Sequence, residues 1–197
     1  MSAGTKIRWA EARGLAEVIY TRISPLVVRM TAVGSLRRKS LYVGDVEFIA
    51  EPRLIDADLF GAKVPDTEPV KAALRELGTW VQGADRAMRI TDVLGRPGMK
   101  VELYLVHPPA NWFAQLAIRT GPWELGKEVM TRLLERGYRH QDGHVVNGKT
   151  GEAIDTTSEE QWFGLAGLPC LPPQDRDDFA HQVEQGRARA NAAKARR

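Results

Sequence analysis

From Tyr42 to Ala50 the chain alternates, with Val46 and Phe48 facing one way and Asp45 and Glu47 the other. A period of two belongs to a strand with one buried and one polar face. A second such segment runs from Met99 to Val106. Val101, Leu103 and Leu105 share one side of it, and Lys100, Glu102 and Tyr104 share the other. Ala87 to Val93 reads as its hairpin partner, joined through Gly95-Arg96-Pro97-Gly98. The chain is therefore constrained to build a sheet that carries acidic side chains on one face.

Helical patterns surround these strands. Residues 6–23 read as a helix in which Ile7, Ala10, Leu15, Val18 and Ile19 share a side, and Pro25 ends it. Leu26 to Val33 is an apolar run leading into Gly34, Pro52 to Pro69 reads as a turn-rich loop, and Val70 to Leu77 is helical in propensity. His107-Pro108-Pro109 marks a subdomain boundary. Beyond it Asn111 to Arg119 is expected to be helical, and Thr120-Gly121-Pro122 is a break with Pro122 in the first turn of the next helix. That helix carries a Leu125, Val129, Leu133 stripe, with Met130 and Leu134 beside it, and Gly137 caps its end. Asn147-Gly148 signals a hairpin, and Thr157-Ser158-Glu159-Glu160 reads as a capping box. The expected class is α+β, with subdomains at 1–107 and 108–180 and a basic tail at 181–197.

Composition narrows the function classes. The 197 residues are 43% hydrophobic, enough for a buried core, and no apolar run has a membrane span's length of about 20 residues. The N-terminus lacks a signal-peptide layout, and the single Cys170 excludes an internal disulfide and a Cys-rich zinc site. A cytoplasmic protein is expected, with no membrane partner. The net charge of +3 is compatible with nucleic acid. Residues 186–197 hold Arg187, Arg189, Lys194, Arg196 and Arg197 and no acid. They read either as a solvated terminus or as a grip on a phosphate backbone.

Three features carry chemistry together. Gly34-Ser35 ends an apolar element and is followed by Arg37, Arg38 and Lys39. Glycine lets a phosphate approach the backbone, and arginine offers a planar fork of donors to its oxygens. Asp45 and Glu47 stand two apart on one strand face, and Glu102 stands on the polar face of a later strand. If those strands are neighbours, three carboxylates meet in a set suited to hard cations such as Mg²⁺. Each feature alone has an ordinary reading as a turn or a solvated face; their order and spacing set them apart.

Gly34-Ser35-Leu36-Arg37-Arg38 followed by Gly44-Asp45-Val46-Glu47 resembles the G-S-x-R-R…G-D-x-D signature of the DNA polymerase X family. Lys100-Val101-Glu102-Leu103-Tyr104 resembles that family's third carboxylate strand. Phe113 to Gly121, ending in Thr120-Gly121, is similar to the segment beside the incoming sugar. Gly167-Leu168-Pro169-Cys170-Leu171-Pro172-Pro173, with Arg176 after it, is similar to the close of the thumb. The resemblance covers roughly residues 5–178.

It implies a nucleotidyltransferase palm plus a small thumb, and a DNA-directed polymerase filling short gaps in repair. It implies two Mg²⁺ ions at Asp45, Glu47 and Glu102, with Glu102 helping to activate the primer hydroxyl; the Glu side chains that stand where the family has Asp add the expectation that Mn²⁺ is also usable. Gly34, Ser35, Arg38 and Gly44 would hold the triphosphate, with Lys6 as a further cation, and Thr120 and Gly121 would pack the nucleotide. Lys100, Arg119, Arg187 and Arg189 are expected to meet DNA. The implied partners are gapped or primer-template DNA and a nucleoside triphosphate; the expected state is a monomer, and a viral or phage source would suit so small a form.

The departures are specific. Two of the three carboxylates are Glu, which lengthens the metal cage, and Ile118-Arg119 replaces the family's aromatic residue before Thr-Gly. The resemblance does not include that family's amino-terminal lyase domain, so lyase activity is not expected. Two alternatives therefore stand beside the polymerase: a template-independent or RNA- or small-acceptor transferase of the same fold, and a catalytically inactive nucleic-acid binder. His107, His140, His144 and His181 are scattered, and His140 and His144 flank a turn at Asp142-Gly143. Trp112 and Trp162 are expected in the core, and Trp123 beside the nucleotide.

Overall fold

A computed structural model describes residues 6–57, 62–84, 86–183 and 185. The chain divides into two compact units, Met1–Pro108 and Pro109–Arg197, between two residues of the His107-Pro108-Pro109 stretch. In the first unit β1 (Ile7–Arg8) leads into α1 (Trp9–Ile23), β2 (Val27–Ala32), the single-turn α2 (Gly34–Arg37), β3 (Tyr42–Val43) and β4 (Asp45–Pro52). There follow β5 (Leu54–Asp56), β6 (Lys63–Pro65), α3 (Glu68–Leu77), β7 (Thr79–Ala84), β8 (Ala87–Thr91) and β9 (Lys100–Leu105).

Five strands form one mixed sheet in the order β2-β4-β9-β8-β7. β4 and β9 run parallel at its centre, and every other pair is antiparallel. A parallel pair needs a long crossover, and the stretch from β5 to β8 supplies it. One face of the sheet packs on the helices. Leu15 and Ile19 of α1 and Val70 and Leu74 of α3 share a core with Val46, Phe48, Val101 and Leu103. Burying each such side chain contributes about 1.5–3 kcal/mol. The alternation in β4 and β9 follows from this: the apolar set covers the helices, and the acidic set is turned to the opposite face.

Three sequence expectations are corrected here. α1 begins at Trp9 rather than residue 6, because Ile7 and Arg8 pair with Val43 and Tyr42 as a short ladder. Its buried side is Ala12, Leu15, Ala16, Ile19 and Ile23, while Val18 is half exposed. The stretch read as a loop between Pro52 and Pro69 contains the antiparallel pair β5 and β6. A further strand, β7, closes the sheet edge, where Gly83 sits against the Trp80 ring.

The second unit consists of α4 (Trp112–Thr120), α5 (Trp123–Glu135), the strands β10 (Tyr138–Gln141), β11 (His144–Asn147) and β12 (Ala153–Ile154), and α6 (Glu159–Leu165). Residues 176–183 are also helical. Asn111 caps α4 by accepting from the Phe113 and Ala114 amides, both at 3.0 Å, and its amide donates to Asp155 and to the Thr156 carbonyl. One side chain thus ties a helix start to a segment more than forty positions later. Asp142 and Gly143 both adopt positive φ in the two-residue turn between β10 and β11, the geometry that matches strand twist. The cap of α6 sits one residue later than the sequence suggested: Ser158 accepts from the Gln161 amide, and Gln161 reaches back to the Thr157 amide. Leu125, Val129, Leu133 and Trp162 are buried in this unit's core, whereas Leu134 is exposed.

Candidate active site

The parallel pairing of β4 with β9 sets the predicted acids on one face of the sheet. Asp45 is the register partner of Lys100, Glu47 of Glu102, and Ile49 of Tyr104. Register partners point to the same side of a sheet, so Asp45, Glu47 and Glu102 share the face turned away from α1 and α3. Glu102 is buried, and Asp45 and Glu47 are partly so.

α2 stands over the end of this acidic row. Val33 donates its amide to the Glu47 carbonyl at 2.9 Å. Gly34 follows with φ +62, and a Cβ built there would lie 1.9 Å from Glu47 Oε2. Glycine is therefore required twice, for its left-handed backbone and for the close approach of the carboxylate. The Gly34 carbonyl accepts from the Arg38 amide at 3.1 Å, which closes the turn. Ser35 lies within α2, and Arg38 caps its C-terminal end. On the neighbouring side Lys6 precedes β1, and its Cγ would be 3.9 Å from a Cβ placed on Gly44. The β1–β3 ladder thus sets Lys6 beside the glycine that leads into Asp45.

The sequence reading missed two members of this site. Arg89 on β8 is the register partner of Glu102 and forms an ion pair with its carboxylate. The Tyr104 hydroxyl donates to the other oxygen of Glu102. Gln82 on β7 stands next to Arg89, so one row across four strands reads Glu47, Glu102, Arg89, Gln82. A cavity of about 140 Å³ opens beside Arg89, Glu102 and Tyr104. The alternation of Met88, Arg89 and Ile90 signals that Arg89 points away from the core, but only strand register assigns it to Glu102.

Burial pushes the Asp45 carboxyl above its ordinary range, and the Glu102 charge pushes it further, against the Lys100 and Arg89 cations. Among the described residues no three His, Cys, Asp or Glu side chains are gathered as a metal cage, and Glu102 is turned to Arg89 and Tyr104. In donor chemistry the carboxylate oxygens of the set are of the kind that hard divalent cations take.

The remaining expected residues belong to the second unit or lie outside the described residues. Thr120 is fully buried, and its hydroxyl donates to the Leu116 carbonyl at 2.6 Å, so the side chain is turned into its own helix. Gly121 follows with φ +68 as the C-cap of α4, and Arg119 occupies that helix's last turn. Trp162 is a core residue and Trp123 is exposed. Burial lowers the His140 imidazole below its ordinary range, and the nearby His144 lowers it further. Arg187, Arg189 and the rest of residues 186–197 lie outside the described residues.

Compared with known proteins, the chain matches no family model and no curated protein at a significant level. No helix among the described residues is long and apolar enough to cross a membrane.

Proposed function

We propose that the chain is a nucleotidyltransferase that extends a DNA 3′-hydroxyl, in the manner of a minimal polymerase X enzyme. The observation that carries this reading is the register of β4 against β9, which sets Glu47 beside Glu102 on the face that also holds Asp45. Gly34 supports it, since it allows the Glu47 carboxylate and a phosphate-binding backbone to share one corner.

Asp45, Glu47 and Glu102 would hold the Mg²⁺ ions. Such ions, when bound, lower the pKa of an attacking hydroxyl and neutralise charge on a leaving phosphate. The chain's own residues do the rest. Gly34 and Ser35 offer amide and hydroxyl donors to phosphate oxygens, and Arg38 and Lys6 add positive charge near the same strand ends. Lys100, next to Asp45, offsets part of the acidic field. Arg89 and Tyr104 hold and orient the Glu102 carboxylate on the face it shares with Asp45 and Glu47.

The test is primer extension on DNA with a one-nucleotide gap, with Mg²⁺ and Mn²⁺ in turn. The native chain is expected to add one nucleotide, and Asp45→Ala to lose at least about a hundredfold in rate. Equal extension of blunt or single-stranded primers would favour the template-independent alternative. Binding in gel shifts without incorporation would make the chain an inactive nucleic-acid binder.

A further inference from the structure

On the opposite side of the sheet from the acids, a cavity of about 530 Å³ opens between α1, β2 and α2. Its volume falls within the range of small-molecule sites, about 300–1,000 Å³. Phe48 lines it, and Phe48 belongs to the core shared with α1. The alternation of β4 therefore separates this cavity from Asp45 and Glu47 by the thickness of the sheet. Nothing in nucleotidyl transfer accounts for it.

We propose that this cavity is a second binding site, for a small anion carrying a flat apolar body. Three observations define that chemistry. The floor is apolar and preformed, because Met30, Leu36 and Phe48 are each less than 10% exposed. One wall is a fixed aromatic ring: the Trp9 indole N–H donates to the Leu36 carbonyl at 2.9 Å, which anchors the start of α1 to α2. Tyr20 supplies a second ring farther along α1. The rim is cationic. Arg13, Arg37 and Lys39 line the cavity against one acid, Glu17, and Glu17 is bonded to Arg13 at 2.9 Å. The lining side chains thus carry three positive charges to one negative, and Lys39 is exposed.

The rim also holds an unusual backbone. Lys39 keeps φ +57, a region seldom occupied by a residue with a side chain. Its amide is bonded to the Leu36 carbonyl at 3.1 Å, so the conformation is fixed by the same turn that receives Trp9. Lys39 is thereby held at the cavity mouth, while Arg13 lies 5.7 Å from the Trp9 ring centroid. A planar ligand would stack against aromatic and aliphatic walls and place its anionic group among Arg13, Arg37 and Lys39.

The proposal does not depend on the nucleotidyltransferase reading, and its test is a binding measurement on the full chain. Anilinonaphthalene sulfonate carries an anion on a flat apolar body, and phenylnaphthylamine is its uncharged counterpart. Fluorescence titration is expected to give one saturable site for the sulfonate, with the uncharged probe weaker by about tenfold or more. Lys39→Glu changes an exposed residue; it is expected to weaken the sulfonate by about tenfold and leave the uncharged probe unaffected. Ala32→Trp, at the register partner of Phe48, fills the cavity from β2 and is expected to abolish both, with circular dichroism confirming the fold. No saturable binding, or sulfonate affinity unchanged in Lys39→Glu, would overturn the proposal. Since Lys39→Glu alters only surface charge, that outcome stands even if Ala32→Trp fails to fold.

Discussion

Glu47 Oε2 lies where a side chain on Gly34 would begin: a Cβ at that glycine would sit 1.9 Å from the carboxylate oxygen. Gly34→Ala must therefore bear a left-handed backbone and displace Glu47. The expected loss of stability is about 1–3 kcal/mol, read by urea denaturation. Adding Glu47→Ala should recover the steric part and leave the backbone part. If the double variant is as unstable as the sum of the two single ones, Gly34 and Glu47 are not coupled.

Asp45 gives a pH dependence with a definite sign. Its folded-state pKa is raised, by burial first and by Glu102 second. The folded chain then holds this proton more tightly than the unfolded chain does. Asp45's contribution to stability is present below the ordinary carboxylate range and is lost as pH rises through the raised value. Asp45→Asn is therefore expected to be more stable than the native chain at neutral pH, with the advantage shrinking as pH falls. Thermal melts across an acid-to-neutral series check this; an Asn variant less stable at neutral pH would contradict it.

Arg89 compensates the buried charge of Glu102. Arg89→Met removes that compensation and should cost about 1–2 kcal/mol, less than the loss of a fully buried pair because Arg89 is partly exposed. On the proposed reading Mg²⁺ competes with Arg89 for the carboxylate. Melting with and without Mg²⁺ should then show a larger metal-induced rise in Tm for Arg89→Met than for the native chain. Equal rises would mean that Arg89 and metal do not share Glu102.

Arg176 is a structural counterpart in the second unit. It is 1% exposed, pairs with Glu159 at 3.0 Å, donates to the Leu171 carbonyl at 3.0 Å and lies 5.0 Å from the Phe163 ring centroid. It thereby ties the Pro-rich 169–173 stretch to α6. Arg176→Met leaves Glu159 without this charge partner, and about 3–5 kcal/mol of destabilisation is expected. The additional substitution Glu159→Gln should recover part of it. Unfolding monitored by Trp fluorescence measures both steps.

How much of this was legible beforehand depends on the range of the interaction. Alternation named the strand faces at Asp45, Glu47 and Glu102, because a half-buried strand imposes period two on its own residues. Asp142-Gly143 was readable as a turn because its geometry is local. The buried side of α1 was misjudged at Val18, since helix rotation is decided by what α1 packs against. The β5–β6 ladder was missed because neither strand buries a face that would impose alternation; both are largely exposed.

The amino-acid order alone determined which residues are acidic, which side of each strand they occupy and where glycine permits a tight bend. These depend on covalent geometry and on period, and both act over a few residues. The pairing of Glu47 with Glu102, the hold of Arg89 and Tyr104 on that carboxylate and the closeness of Glu47 to Gly34 were decided only by the tertiary structure. Strand register joins residues tens of positions apart, and it is set by the packing of the whole sheet against α1 and α3, which no local pattern encodes.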